Sequence, residues 1–236
     1  MMTISHKALL LFVPAMILSG AIRVYPKPYI SGAAAEIAVV PEINRSLGYC
    51  WNITAKGTLE LNKLLEFSGG AALGQEGTSA ADVFARAGAG LPFFPNLSFH
   101  AAYIFNTYPG YNTRIHSVIP AVRLRLWRIE AVLGYCFRVT VFGSEDTLAE
   151  RNFAYRAGIK LIDSDRGNFS VHIGNVSDFF CGNLGSYSLG FSYSVPVSRR
   201  ISISGGMELY QTGSIALASN NYGTALKGGV VFCFQN

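Results

Sequence analysis

Charge is scarce in this sequence. Only 14% of its 236 residues are Asp, Glu, Lys or Arg, against about 25% in an ordinary globular domain. Half of the chain is hydrophobic and 25 residues are glycine. That balance fits a membrane protein, but a second absence removes the commonest kind. Past the N-terminus there is no run of ~18 apolar residues able to cross a bilayer as a helix, because Gly, Pro, Ser or Asn breaks each long uncharged stretch. Metal-site spacing is also missing: Cys50, Cys136, Cys181 and Cys233 form no C-x-x-C pair. The location of Cys50 near the loop end of its segment and of Cys233 near the turn end of another argues against a disulfide between them. A Cys136–Cys181 bond would need a loop folded inward, so free buried thiols are expected. The four histidines offer no catalytic group. His6 leaves with a leader, His100 and His172 face one way with other polar residues, and His116 and Ser117 are neighbours that face opposite ways. No Asp stands where it would orient a histidine. The expectation is no enzyme, no cofactor and no metal. The arginines are isolated within alternating segments and not clustered, which argues against nucleic acid as a partner.

The N-terminus has the layout of a secretory signal peptide. Lys7 precedes the short apolar run ALLLFVPAMIL, and Ser19 and Ala21 supply small residues before a cleavage point. Residues 1–21 are read as the signal peptide and 22–236 as one domain. No cysteine follows the run, which excludes the usual lipoprotein signal. Loss of Lys7 lowers the formal charge of +5 by one.

What the remainder does have is period two. Segments of alternating apolar and small or polar residues, the signature of strands, fall near 29–40, 49–61, 64–74, 81–93, 97–106, 113–127, 129–142, 153–162, 168–177, 187–195, 201–209 and 222–234. The clearest sets Tyr187, Leu189, Phe191, Tyr193 and Val195 against Ser186, Ser188, Ser192 and Ser194. Twelve strands are predicted; ten, or eight with longer loops, are the alternatives. Short connections (Asn62-Lys63, Pro95-Asn96, around Arg128, Asp163 to Gly167, Ser198-Arg199) interleave with longer ones (Gln75 to Ala80, Thr107 to Asn112, Gly143 to Arg151, Ser177 to Asn183, Thr212 to Asn221). The apolar faces are nearly free of charge, and their aromatics gather at strand ends. Trp51, Tyr103, Phe105, Phe153, Tyr155 and Tyr222 lie at one end, and Phe93, Phe99, Phe169, Phe232 and Phe234 at the other. A soluble sandwich needs no such segregation. Two aromatic belts with short turns on one side are the pattern of a closed antiparallel transmembrane β-barrel. Closure follows from the solvent, since hydrocarbon leaves no sheet edge unpaired.

The chain ends in KGGVVFCFQN. Lys227, Gly229, Phe232 and Phe234 follow the order polar, any, Gly, any, any, aromatic, any, aromatic. This resembles the C-terminal β-signal by which bacterial outer-membrane barrels are recognised by their assembly machinery. Gln235 and Asn236 trail the last aromatic, where many members of that class stop. By length and strand count the chain also resembles the small twelve-stranded channels of the oligogalacturonate-porin type. The alternative likeness is to the eight-stranded OmpA or OmpW type. The resemblance implies an outer-membrane location, contact with membrane lipid and with the assembly machinery, and a lumen lined by the non-lipid faces.

Parity then gives the lining. Acids dominate the first three strands (Glu36, Glu60, Glu66), and basic residues dominate the sixth to eighth (Arg123, Arg125, Arg138, Arg156, Lys160), with Arg86 on the fourth. Lys56, Asp82, His100, Glu130, His172, Glu208 and Lys227 share the inward faces. Two readings follow. A basic wall opposite an acidic one would focus and select small polar or anionic solutes. Alternatively the charges pair across a narrow lumen, giving a closed barrel with a structural or host-contact role. The charged stretch SEDTLAER (144–151) is a candidate for folding inward or binding a partner.

Overall fold

The computed structural model describes residues 29–44, 48–76, 78–108, 112–143, 146–183, 185–212 and 221–234. The expected signal peptide, residues 1–21, lies outside them. Twelve strands are present: β1 (Ile30–Asn44), β2 (Gly48–Leu61), β3 (Leu65–Glu76), β4 (Thr78–Leu91), β5 (Phe94–Tyr108), β6 (Thr113–Leu126), β7 (Ile129–Phe142), β8 (Asp146–Ser164), β9 (Gly167–Gly174), β10 (Tyr187–Pro196), β11 (Ile201–Thr212) and β12 (Asn221–Cys233). Each pairs antiparallel with its sequence neighbours, and β12 pairs with β1 to close the barrel. No described helix is long and apolar enough to cross a membrane.

The closing seam explains one residue of the C-terminal motif. Gly229 faces inward opposite Ala38, and a Cβ placed on it would lie 2.6 Å from the Ala38 Cβ and 2.7 Å from the Ile37 carbonyl oxygen. Only glycine lets β12 lie against β1 at this point. Gly229→Val is expected to lower sharply the yield of barrel that resists unfolding in cold detergent, read as the loss of the fast-migrating band on unheated gels.

The β2–β3 turn follows equally local rules. Asn62 and Lys63 both have positive φ, 54° and 57°, and the Leu64 N–H donates to the Leu61 carbonyl at 3.0 Å. Two left-handed central residues make a type I′ turn, whose twist matches that of the flanking strands.

Some boundaries differ from the sequence reading. Pro95 and Asn96 lie inside β5, and the chain reverses at Pro92–Phe93. Gln75 to Ala80 is nearly all strand, with Glu76 paired to Thr78. Of the 144–151 stretch, everything from Asp146 onward belongs to β8, with Asp146 opposite Phe142. These hairpins rise beyond the bilayer: β8 has 19 residues, where about 9–11 cross hydrocarbon. Above the membrane both faces meet water, so the ladder continues without an apolar alternation to mark it.

The outer surface carries the apolar faces. Ile37, Ile53, Leu73, Leu133, Leu189 and Ile203 are all exposed. Trp127 and Phe93, at the tips of two turns, are each 90% exposed, which water would penalise and a membrane interface favours. Arg128 lies over the Trp127 ring, 4.8 Å from its centroid. At the opposite end the Tyr103 hydroxyl and His116 Nδ1 share a 2.8 Å hydrogen bond, and the Phe105 ring lies 4.9 Å from the imidazole.

Candidate functional site in the barrel lumen

The lumen holds a segment that the sequence reading treated as a plain surface connection. β9 is only eight residues long, so residues 175–186 begin deep in the wall and turn inward. Asn175 clamps the departure. Its Oδ1 accepts from the Tyr155 N–H at 2.7 Å, and its Nδ2 donates to the Phe153 and Asn183 carbonyls at 2.7 and 3.1 Å. One side chain thereby replaces the missing strand partner of β8 and ties both ends of the loop. A tight turn follows, with Val176 bridged to Cys181 and the Ser177 N–H donating to the Phe180 carbonyl at 2.8 Å.

The loop tip is held by packing and by charge. Phe179 meets Phe84 edge-on, with ring centroids 5.0 Å apart, and the Phe179 carbonyl accepts from Asn106 Nδ2 at 2.8 Å. Cys181 is buried with Phe84, Ile104, Ile119, Cys136 and Ala154, a cluster joined by Val176. The loop thus gives an apolar partner to inward residues of β4–β8 that would otherwise face a water-filled lumen. Asp178 sits between Arg86, at 2.9 Å, and Lys56, at 3.3 Å. Burial pushes its carboxyl up, but Lys56, Arg86 and Arg156 outweigh that and hold it well below the usual carboxylate range.

The residues singled out from sequence have these positions. Glu36 meets Lys56 at 3.0 Å, Lys227 at 2.6 Å and Ser204 Oγ at 2.6 Å. Glu66 accepts both guanidinium arms of Arg123, at 3.2 and 2.6 Å, a contact from β3 to β6 that skips two strands. Arg125 donates to Glu130 at 2.9 Å and stands 3.8 Å from Glu66. Arg138 meets Glu150 at 3.5 Å, Lys160 meets Asp163 at 3.1 Å near the turn end, and Glu60 lies beside Glu66 in the β2–β3 register. Glu36, Lys56, Lys227, Arg86 and Asp178 are therefore one connected cluster, and Arg138 and Lys160 belong to separate pairs. Arg86, Arg123 and Arg156 join His100 around a cavity of about 70 Å³ beneath the loop residues Val176 and Ser177. The Nε of Arg123 is buried there without a hydrogen-bond partner.

Sequence reasoning missed Asn175, Asp178 and Phe179. Their signal was present: the connection NVSDFFCGN is too apolar for a loop that lives in water.

A closed antiparallel barrel with an apolar exterior and a charged, partly filled interior has the fold of the bacterial outer-membrane β-barrels. Among solved structures it is similar to the translocator domain of the autotransporter NalP from Neisseria meningitidis, with a TM-score of 0.56 and 11% identity over 97% of this chain and 96% of that one. It is also similar to the NanC porin, with a TM-score of 0.58 and 8% identity over 83% and 98%. The KdgM porin in complex with disordered oligogalacturonate gives 0.54 and 8% over 85% and 99%. No protein-family model matches the chain, and no curated protein matches it.

Proposed function

We propose that the chain is an outer-membrane channel for passive diffusion of small polar or anionic solutes, narrowed by the inward 175–186 loop. The carrying observation is the asymmetry of the lumen. The loop packs against β4–β8, and the inward positions across from it are mostly small, with Ser192, Ser194, Ser202, Gly206 and Ala225 beside Glu208 and Tyr210. The space left between them is bordered by Lys56, Lys227, Arg86 and Arg156 against Glu36 and Asp178. With Glu208 on the facing wall, four cations meet three carboxylates, which leaves an excess of positive charge that attracts anions into a low-dielectric slot. Arg86, Arg123 and Arg156 add a cavity in which planar guanidinium forks can grip a carboxylate or phosphate group. Two structural neighbours are porins, one of them with oligogalacturonate, which supports a solute passage here. Lipid covers the exterior, and Lys227, Gly229, Phe232 and Phe234 serve the assembly machinery as its recognition strand.

The test is the reversal potential of the refolded barrel in a planar bilayer under a salt gradient. Discrete conductance with anion bias is expected. Arg156→Gln removes one positive charge from this lining and leaves the Lys56 and Arg86 salt bridges to Asp178 in place, so it should clearly reduce the anion bias. An unchanged potential would mean that the basic residues are structural. A second reading, a closed barrel with a structural or surface-contact role, is favoured by the same loop, pinned by Arg86, Lys56 and Phe84. A folded barrel that never conducts would establish it.

A further inference from the structure

The inward loop brings together the two cysteines that sequence alone kept apart. Cys136, inward on β7, is 0% exposed and Cys181, on the loop, is 2% exposed. Both thiols are free, and they lie within electrostatic reach of each other inside one apolar cluster with Phe84, Ile104, Ile119 and Ala154. Cys50 and Cys233, near the loop end of β2 and the turn end of β12, are a barrel height apart.

We propose that Cys136 and Cys181 form a disulfide that latches the loop to the lumen wall. The inference rests on the outer-membrane location proposed above, because that route passes through an oxidising compartment. The chemistry is a thiol–disulfide exchange during transit, before the barrel closes over the pair. A periplasmic protein disulfide accepts one cysteine thiolate as a mixed disulfide, and the second cysteine displaces it. The S–S bond forms, two thiol hydrogens leave as protons, and the two electrons reduce the oxidant to a dithiol. The latch acts on the same element as the Asp178 ion pairs and Asn175. Those contacts position the loop, and the covalent bond prevents it from swinging out.

The test maps the cysteines in barrel extracted from the outer-membrane fraction and unfolded in denaturant that already contains the alkylating agent, so that buried free thiols are trapped as they become exposed. The expected result is a peptide joining Cys136 to Cys181, lighter by two hydrogens than the separate pair, with Cys50 and Cys233 alkylated. Four alkylated cysteines, or any other pairing, would overturn the proposal. If the chain fractionates elsewhere, the location has failed, and the same mapping on barrel refolded with oxidised glutathione decides the disulfide. In bilayers, Cys181→Ser is expected to show brief openings to a larger conductance that the oxidised wild type lacks, and to ignore reductant, and Cys136→Ser repeats the result from the wall side. A conducting wild type indistinguishable from both variants sinks the latch. Silence of all three with the bond mapped leaves the disulfide standing and sinks the channel reading.

Discussion

Asp178→Ala combined with Phe179→Ala is expected to raise single-channel conductance severalfold in reduced protein, the largest functional effect in the molecule. The carboxylate is the only acidic group that the loop presents to Lys56 and Arg86, at 3.3 and 2.9 Å, and Phe179 is its aromatic contact with Phe84. Loss of one partner of a partly buried ion pair costs about 1–3 kcal/mol, and truncating a packed aromatic costs a similar amount or more. Together they exceed what Asn175 and the Asn106 bond can hold. Asp178→Asn alone keeps the shape and removes the charge, so it should increase anion bias with a smaller change in conductance. If the double variant conducts like wild type, the loop does not limit passage. The pH response follows from the sign of the shift. A carboxyl held below its ordinary value favours the docked loop above the unfolded-state pKa, and that contribution is lost only as pH falls through the lowered folded value. Conductance should therefore stay flat between about pH 7 and 5 and change only in stronger acid.

Arg123→Ala should produce the largest loss of stability, about 3 kcal/mol. The guanidinium is largely buried and holds Glu66 with two bonds, so its removal leaves a carboxylate facing only Arg125 at 3.8 Å. Arg123→Lys keeps a charge but loses the fork, and should recover part of the loss. Replacing both partners, Glu66→Leu with Arg123→Met, should come close to wild type, since the unpaired charge and not the lost attraction carries the penalty. Urea midpoints of the folded barrel compare the three variants with wild type. A double variant as weak as Arg123→Ala would mean that the pair has another role.

The sequence carried the barrel because hydrocarbon imposes a rule on every residue that crosses it. Outward positions must be apolar, and the pleat makes them alternate. Tyr187 to Val195 obeys this at each step, so strand number and the facing of Glu36, Arg123 and Lys227 were legible. The same rule is silent above the membrane, which is why the first residues of β8 and the β3–β4 hairpin read as loops.

Parity says that Arg123 and Glu66 both face inward, but which charge meets which depends on ring curvature and on strands three apart. The charges expected on opposing walls pair partly between neighbouring strands and partly, as Arg123 with Glu66, across two intervening ones, with Asp178 from the loop completing the central cluster. The inward loop itself depends on β9 ending at Gly174 and on Asn175 capping the exposed edge of β8. The sequence by itself determined the sheet, its faces and its apolar exterior, because each follows from the solvent next to each residue. Only the tertiary structure decided what fills the lumen and which cysteines meet, because those contacts join residues that no local pattern relates.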